Sequence, residues 1–306
     1  MRTRTKAIVS MLALVAMSSS LAQTAASDAA AAADESEALK IAALEALVAA
    51  PPERALPLAT KVLNSNNSNE VKSRALFVLS QIDLPEAQAQ LLNIARTGDA
   101  GLRAEAIRMV GIGGDADSLG GLADLYRSGD EDVRDAVLEA YLIAGDNDAV
   151  FQIAATATDA NEFEAAVEML GAMGAQDQLR ALRESSNFSD ILIEAFAISG
   201  DSETLRELAL DGGDPALQAR AIEALGIIGG DDIDATLMEI YRGASSPDIK
   251  EAALEGMLIA GHDEGLLELY RESKEIGEKR ELLEVLTIMG SDLVLDVIDA
   301  ALATDQ

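Results

Sequence analysis

One stretch, Ser128–Asp146 (SGDEDVRDAVLEAYLIAGD), recurs in close variants along the chain at intervals of roughly thirty residues. A chain made of such tandem units has no single central core. Each unit buries its apolar side against its neighbours, so the array must stack. Taking Val133 as position zero, the equivalent residues are Leu39, Val71, Leu102, Glu162, Phe188, Leu217, Ile249 and Glu278. Three places earlier stand Ser36, Ser68, Asp99, Asp130, Asp159, Ser185, Asp214, Ser246 and Glu275. Eight of these nine are Ser or Asp, whose side-chain oxygens accept hydrogen bonds from the unpaired amides of a helix's first turn. Pro215 and Pro247 follow two of them, at the first helical position, where a missing amide is harmless.

Twelve places after zero come Pro51, Asp83, Gly114, Gly145, Gly174, Gly200, Gly229, Gly261 and Gly290. Seven glycines where a helix turns into the left-handed region read as a stop signal. Between start and stop, positions +4, +5 and +8 are apolar in every unit, for example Val137, Leu138 and Tyr141, or Ala221, Ile222 and Leu225. That spacing belongs to a helix that buries one side. A second, shorter apolar-periodic segment, such as Leu119–Tyr126 or Leu237–Tyr241, lies between each stop and the next cap, so every unit is expected to be an antiparallel helix pair. Position +1 is mostly basic: Lys40, Lys72, Arg103, Arg134, Lys250 and Lys279. The units centred on Glu162, Phe188 and Glu278 depart from the pattern.

An acidic turn, an apolar–basic pair, an Ala/Leu core and a glycine stop together resemble the HEAT repeat, in the short form also found in phycobilisome lyase-like proteins. The resemblance runs from Ser36 to Gln306. It implies an all-α fold, an α-solenoid of stacked antiparallel helix pairs wound as a right-handed superhelix, with the capped second helices on the concave side.

On a helical wheel the core positions of each capped helix gather into one arc, while +6 and +10 fall on the opposite side, facing away from the core. Position +6 holds Glu45, Phe77, Arg108, Glu139, Glu168, Glu194, Glu223, Glu255 and Glu284. Position +10 holds Ala49, Gln81, Ile112, Ile143, Ala172, Ile198, Ile227, Ile259 and Ile288. The glutamates read either as a solvated face or as an acidic rail. The isoleucines read either as lateral packing between neighbouring second helices or as an exposed apolar rail. If the rails are exposed, Ile112, Ile143, Ile198, Ile227, Ile259 and Ile288 beside Glu139, Glu168, Glu194, Glu223, Glu255 and Glu284 form a partner-binding wall. The guest that fits it is a protein or peptide segment, basic and amphipathic.

The first twenty-two residues have a basic start (Arg2, Arg4, Lys6), an apolar run over Ala7–Met17 and a small-residue end at Ser20–Ala22, the pattern of a cleaved signal peptide. The domain expectation is a leader over 1–22, an Ala-rich flexible spacer over 23–34 and the repeat domain over 35–306, in a periplasmic or secreted protein. Cleavage removes three positive charges and no negative ones, taking the formal net charge from −31 to −34. Nucleic acid is excluded by that sign. No later segment is continuously apolar, so no stable membrane insertion is expected.

With no cysteine, disulfides, zinc–thiolate sites and thiol catalysis drop out. Deoxyhypusine hydroxylase is built from similar units but holds two irons through repeated His–Glu pairs, and a chain whose single histidine is His262 cannot supply these. His262 itself, between Gly261 and Asp263, reads as a solvated loop side chain. Asp146–Asp148 and Asp231–Asp234 lack the glycine and the distal carboxylate of a calcium loop and read as caps of the following helices, so no metal site and no cofactor are expected. Tyr126–Arg127, Tyr241–Arg242 and Tyr270–Arg271 are expected to close first helices, the arginines capping the last carbonyls. The expected function is a non-enzymatic exported scaffold, and the alternative is a degenerate lyase-type enzyme related to the phycobilisome lyase-like proteins.

Overall fold

A computed structural model describes residues 34–185, 189–210, 213–290 and 293–303 of the chain. The leader, the spacer up to residue 33 and Phe188 lie outside them. All regular structure among the described residues is α-helical. The chain divides into two units, Met1–Ala144 and Gly145–Gln306. The first contains α1 (34–47), α2 (Pro52–Leu63), α3 (Asn69–Ser80), α4 (Pro85–Thr97), α5 (Ala100–Gly113), α6 (Ala116–Ser128) and α7 (Glu131–Ala144). The second contains α8 (Asn147–Thr156), α9 (Ala160–Ala172), α10 (Gln176–Ser185), α11 (Ser189–Ile198), α12 (Ser202–Leu210), α13 (Pro215–Ile228), α14 (Asp231–Gly243), α15 (Pro247–Ala260), α16 (Asp263–Glu272), α17 (Ile276–Met289) and α18 (Leu293–Ala303).

The odd-numbered helices are the capped ones. Each even helix folds back on the odd helix that follows, and within each unit odd helices pack side by side in one layer and even helices in another, which makes each unit an α-solenoid stack. The side-chain oxygens of Ser68, Asp99, Asp130, Asp159 and Asp214 accept from first-turn amides as the sequence pattern requires. Ser246 and Glu275 precede their helices without such a bond, and Ser36 lies inside α1. Gly145, Gly174, Gly200, Gly229, Gly261 and Gly290 take positive φ at the stops. Gly114 does not: its φ of −72° and ψ of 141° continue straight into the Asp115 cap of α6.

Of the twenty-seven predicted core positions, only Ala43, Leu47 and Leu283 are not buried. All three lie in α1 or α17, near the ends of the array, where fewer neighbours remain to cover them. In the repeat headed by Glu162 the apolar anchor has moved by one residue. Phe163 is buried to 2 % exposure, while Glu162 reaches back to the amide of Thr158 and completes the cap.

The layer of odd helices is held by a contact that the core columns do not reveal. At three seams, position +9 of one odd helix meets position +7 of the next with almost no side chain between them. A Cβ on Gly111 would lie 2.5 Å from the carbonyl oxygen of Ala140, and one on Gly226 would lie 2.5 Å from that of Gly256. Gly171 sits against Ala195 in the same way, at 3.2 Å. Backbones this close leave no room to add a methyl, and overpacking such a site costs about 1–3 kcal/mol.

Gly226→Ala is therefore expected to lower stability, although alanine favours a helix over glycine by about 1 kcal/mol. Gly120→Ala in α6, whose Cβ would meet nothing within 4 Å, is expected to raise it by up to about 1 kcal/mol. Thermal melts followed by circular dichroism check the opposite signs. Equal signs would remove the close-approach account.

Candidate docking face

The seam at +7 and +9 decides what the opposite side of each odd helix can do. On the wheel those two positions flank the core arc, one on either side. At the three glycine seams lateral contact is made by small residues, and +6 and +10 lie between the flanks. All six isoleucines at +10 are exposed: Ile112 44 %, Ile143 45 %, Ile198 49 %, Ile227 68 %, Ile259 53 % and Ile288 66 %. Both readings of this column hold in part: the side chains are partly exposed, and the Cβ of Ile198 would lie 3.3 Å from a Cβ on Gly171 of the neighbouring α9. In the second unit Ile198, Ile227, Ile259 and Ile288 occupy the same register on the successive neighbours α11, α13, α15 and α17.

The glutamates at +6 fall into two groups. In the first unit they are paired within the chain. Arg74 on α3 reaches Glu45 on α1 at 3.3 Å and lies over the Phe77 ring, and Arg108 on α5 binds Glu139 on α7 at 2.6 Å and Glu105 at 3.3 Å. In the second unit Glu168, Glu194, Glu223, Glu255 and Glu284 succeed one another with no basic side chain within 4 Å among the described residues. Between α9 and α11 this face dips into a hollow of about 90 Å³ lined by Val167, Ala195, Ile191, Ile198, Glu164, Glu168 and Glu194. Six of the twelve residues assigned to the wall by sequence, Glu194, Glu223, Glu255, Ile198, Ile227 and Ile259, thus recur on three adjacent helices, α11, α13 and α15.

Other polar groups hold the stack together. The basic position +1 ties an odd helix to the start of the next: Lys40 donates to Asn67, Arg103 to the cap Asp130 at 3.0 Å, and Lys250 to Glu278 at 2.9 Å. Glu278, an acid where the repeat has an apolar residue, also accepts from Tyr241 and Ser273, and these bonds hold its carboxyl below the usual glutamate range. Burial and the Glu278 contact push the Tyr241 phenol up.

A second column of caps follows the stops. Asp115, Asp146 and Asp201 accept from the first turns of α6, α8 and α12. The sequence expectation covers only Asp146 of these, although a glycine–aspartate step is the available signal in each case. The expected cap at Asp231 is corrected, since Gly230 occupies that place and Asp231 lies in the first turn of α14. At the same register His262 is not a solvated loop residue. Its ring lies against Gly265, with Nδ1 3.1 Å from Asp234 and Nε2 3.3 Å from the sulfur of Met238, and its side chain is 19 % exposed. The arginines of the Tyr–Arg pairs do not cap carbonyls either. Arg127 pairs with Asp124, and Arg242 bridges Glu268 and Glu272 of α16. Among the described residues no group of three or more His, Asp or Glu is arranged to hold a metal, and no helix is long and apolar enough to cross a membrane.

A family model described as HEAT repeats matches residues 59–142. Over those residues the chain carries HEAT repeats. The matched HEAT segment spans α3 to α6 with the end of α2 and most of α7, and the odd-helix register set out above continues past it to α17. Several solved structures align with the chain, two of them as follows. The complex of CpcE and CpcF of phycocyanin lyase from Nostoc sp. PCC7120 is 21 % identical, with 78 % of this chain and 94 % of that one covered and a TM-score of 0.33. Human deoxyhypusine hydroxylase in complex with glycerol is 18 % identical, with 83 % and 91 % covered and a TM-score of 0.35. No curated protein matches the sequence. Neither structural likeness carries an activity over to this chain.

A further ionic tie joins α10 to Asp201, the cap of α12. Arg180 donates Nε and Nη2 to the two carboxylate oxygens of Asp201, at 2.8 and 2.7 Å, and Thr204 adds its amide and hydroxyl. The Asp201 side chain is 1 % exposed. Burial pushes its carboxyl up, but the bonds from Arg180 and Thr204 outweigh burial and hold it below the usual aspartate value. A depressed folded value means a contribution that is complete above the unfolded pKa and is lost as pH falls through the lower, folded one. Arg180→Ala is expected to lower stability at pH 7, because it leaves the buried Asp201 carboxylate without its cation. The difference from wild type should shrink below about pH 4. Melting temperatures measured from pH 7 to pH 3 test this, and a difference that does not vary with pH would exclude the pair as its source.

Proposed function

We propose that this protein is a non-enzymatic exported scaffold that holds a protein or peptide partner against the outward face of its odd-numbered helices. The supporting observation is the solvent exposure of every isoleucine at +10, in a column where the repeat could have placed polar residues at no cost to its core. Exposed apolar side chains in a regular row are characteristic of interaction surfaces rather than of an idle exterior. The guest is a basic, amphipathic segment. Its apolar side rests on Ile198, Ile227, Ile259 and Ile288, and its cations face Glu168, Glu194, Glu223, Glu255 and Glu284. Export follows from the leader-like first twenty-two residues and places the guest in the periplasm or outside the cell.

The test is fluorescence anisotropy with a labelled amphipathic helix of leucine and arginine at physiological salt. Apolar anchors at the centre of an interface are worth more than about 1 kcal/mol each, so Ile227→Lys with Ile259→Lys should weaken binding at least tenfold. The two side chains are 68 % and 53 % exposed, so the melting temperature should stay close to wild type. A large drop in melting temperature would mean that the isoleucines serve packing, and unchanged affinity would remove the face from the binding site.

A further inference from the structure

We infer that the hollow between α9 and α11 is a seat for the guanidinium of an arginine carried by the docked partner, an inference that rests on the docking reading and sharpens it. Its floor is Val167 and Ala195, its wall Ile198, and its rim Glu164, Glu168 and Glu194, all three glutamates exposed. At about 90 Å³ it is well short of the roughly 300–1,000 Å³ of a small-molecule or cofactor pocket. It takes the end of one side chain.

The first unit shows what fits such a place. Glu168 and Glu194 stand at +6 on neighbouring odd helices, the same two positions that Arg108 and Glu139 hold on α5 and α7. There the chain supplies the cation itself, and Arg108 binds Glu139 through Nε at 2.6 Å while Nη1 reaches Glu105. In the second unit the arginine position is a glutamate. Both acids face an apolar-floored hollow with no basic side chain within 4 Å among the described residues. The occupant that completes the arrangement is therefore a cation from outside. Arginine suits it better than lysine, because a planar fork can bind two carboxylates while its flat face lies on Ile198, whereas an ammonium is a compact, strongly hydrated point charge.

The experiment extends the anisotropy titration with the leucine–arginine peptide and its leucine–lysine counterpart. Glu168→Gln with Glu194→Gln is expected to weaken the arginine peptide at least fivefold. Glu86→Gln with Glu239→Gln, which removes the same charge from exposed positions on α4 and α14, should change it less than twofold. The lysine peptide should bind wild type at least threefold more weakly than the arginine peptide. Glu168→Arg, which recreates within the chain the arrangement of Arg108 and Glu139, should block the arginine peptide without lowering the melting temperature. The seat is overturned if the two double variants behave alike, if the peptides bind equally, or if wild type binds neither. Should Ile227→Lys with Ile259→Lys abolish binding while Glu168→Gln with Glu194→Gln does not, the seat falls and the docking face stands. The reverse result keeps the seat and removes the isoleucine row.

Discussion

The structure depends on helix backbones that meet with nothing but a hydrogen or a methyl group between them. Gly111 on Ala140, Gly171 on Ala195 and Gly226 on Gly256 bring successive odd helices closer than larger side chains would allow. At these three seams small residues make the lateral contact, and +6 and +10 lie on the arc between the flanks, away from the core.

Much of this is legible in the sequence, and what is not has physical reasons. The core columns and the aspartate caps are predictable because each depends only on residues a few places apart on one helix, where periodicity and local hydrogen bonding rule. Where that local logic fails, a longer-range contact prevails. Glu278 occupies an apolar place because Tyr241, Lys250 and Ser273, from other elements or the preceding turn, supply its hydrogen bonds. His262 is drawn out of solvent by Asp234 and Met238 of the preceding even helix and by the space that Gly265 leaves for its ring. The isoleucine column can be read two ways for the same reason. Its exposure depends on what the neighbouring helix presents, and the pairing of +9 with +7 relates residues in different repeats that a single helical wheel does not connect.

The two units treat one acidic column differently. In the first, Arg74 and Arg108 satisfy glutamates across adjacent helices, so part of the wall is neutralised from within. In the second, five glutamates follow one another without such partners among the described residues. Like charges on neighbouring helices repel, and without these five glutamates the chain would still carry a net charge of −26, from −31 + 5, so solubility does not require them. Their place beside exposed isoleucines is what the proposed docking of a cationic partner rests on. The ionic ties at Asp130 and Asp201 show the contrasting use, where an acid is matched locally and serves the stack itself.

Within each unit a hairpin leans only on the hairpins before and after it. Deleting or duplicating one whole hairpin would leave the remaining seams as they are. Tandem duplication of the gene would then lengthen the isoleucine row by one rung at a time. The span of guest that such a wall can grip is in that sense a number that evolution can count up or down, with no need to invent a new surface.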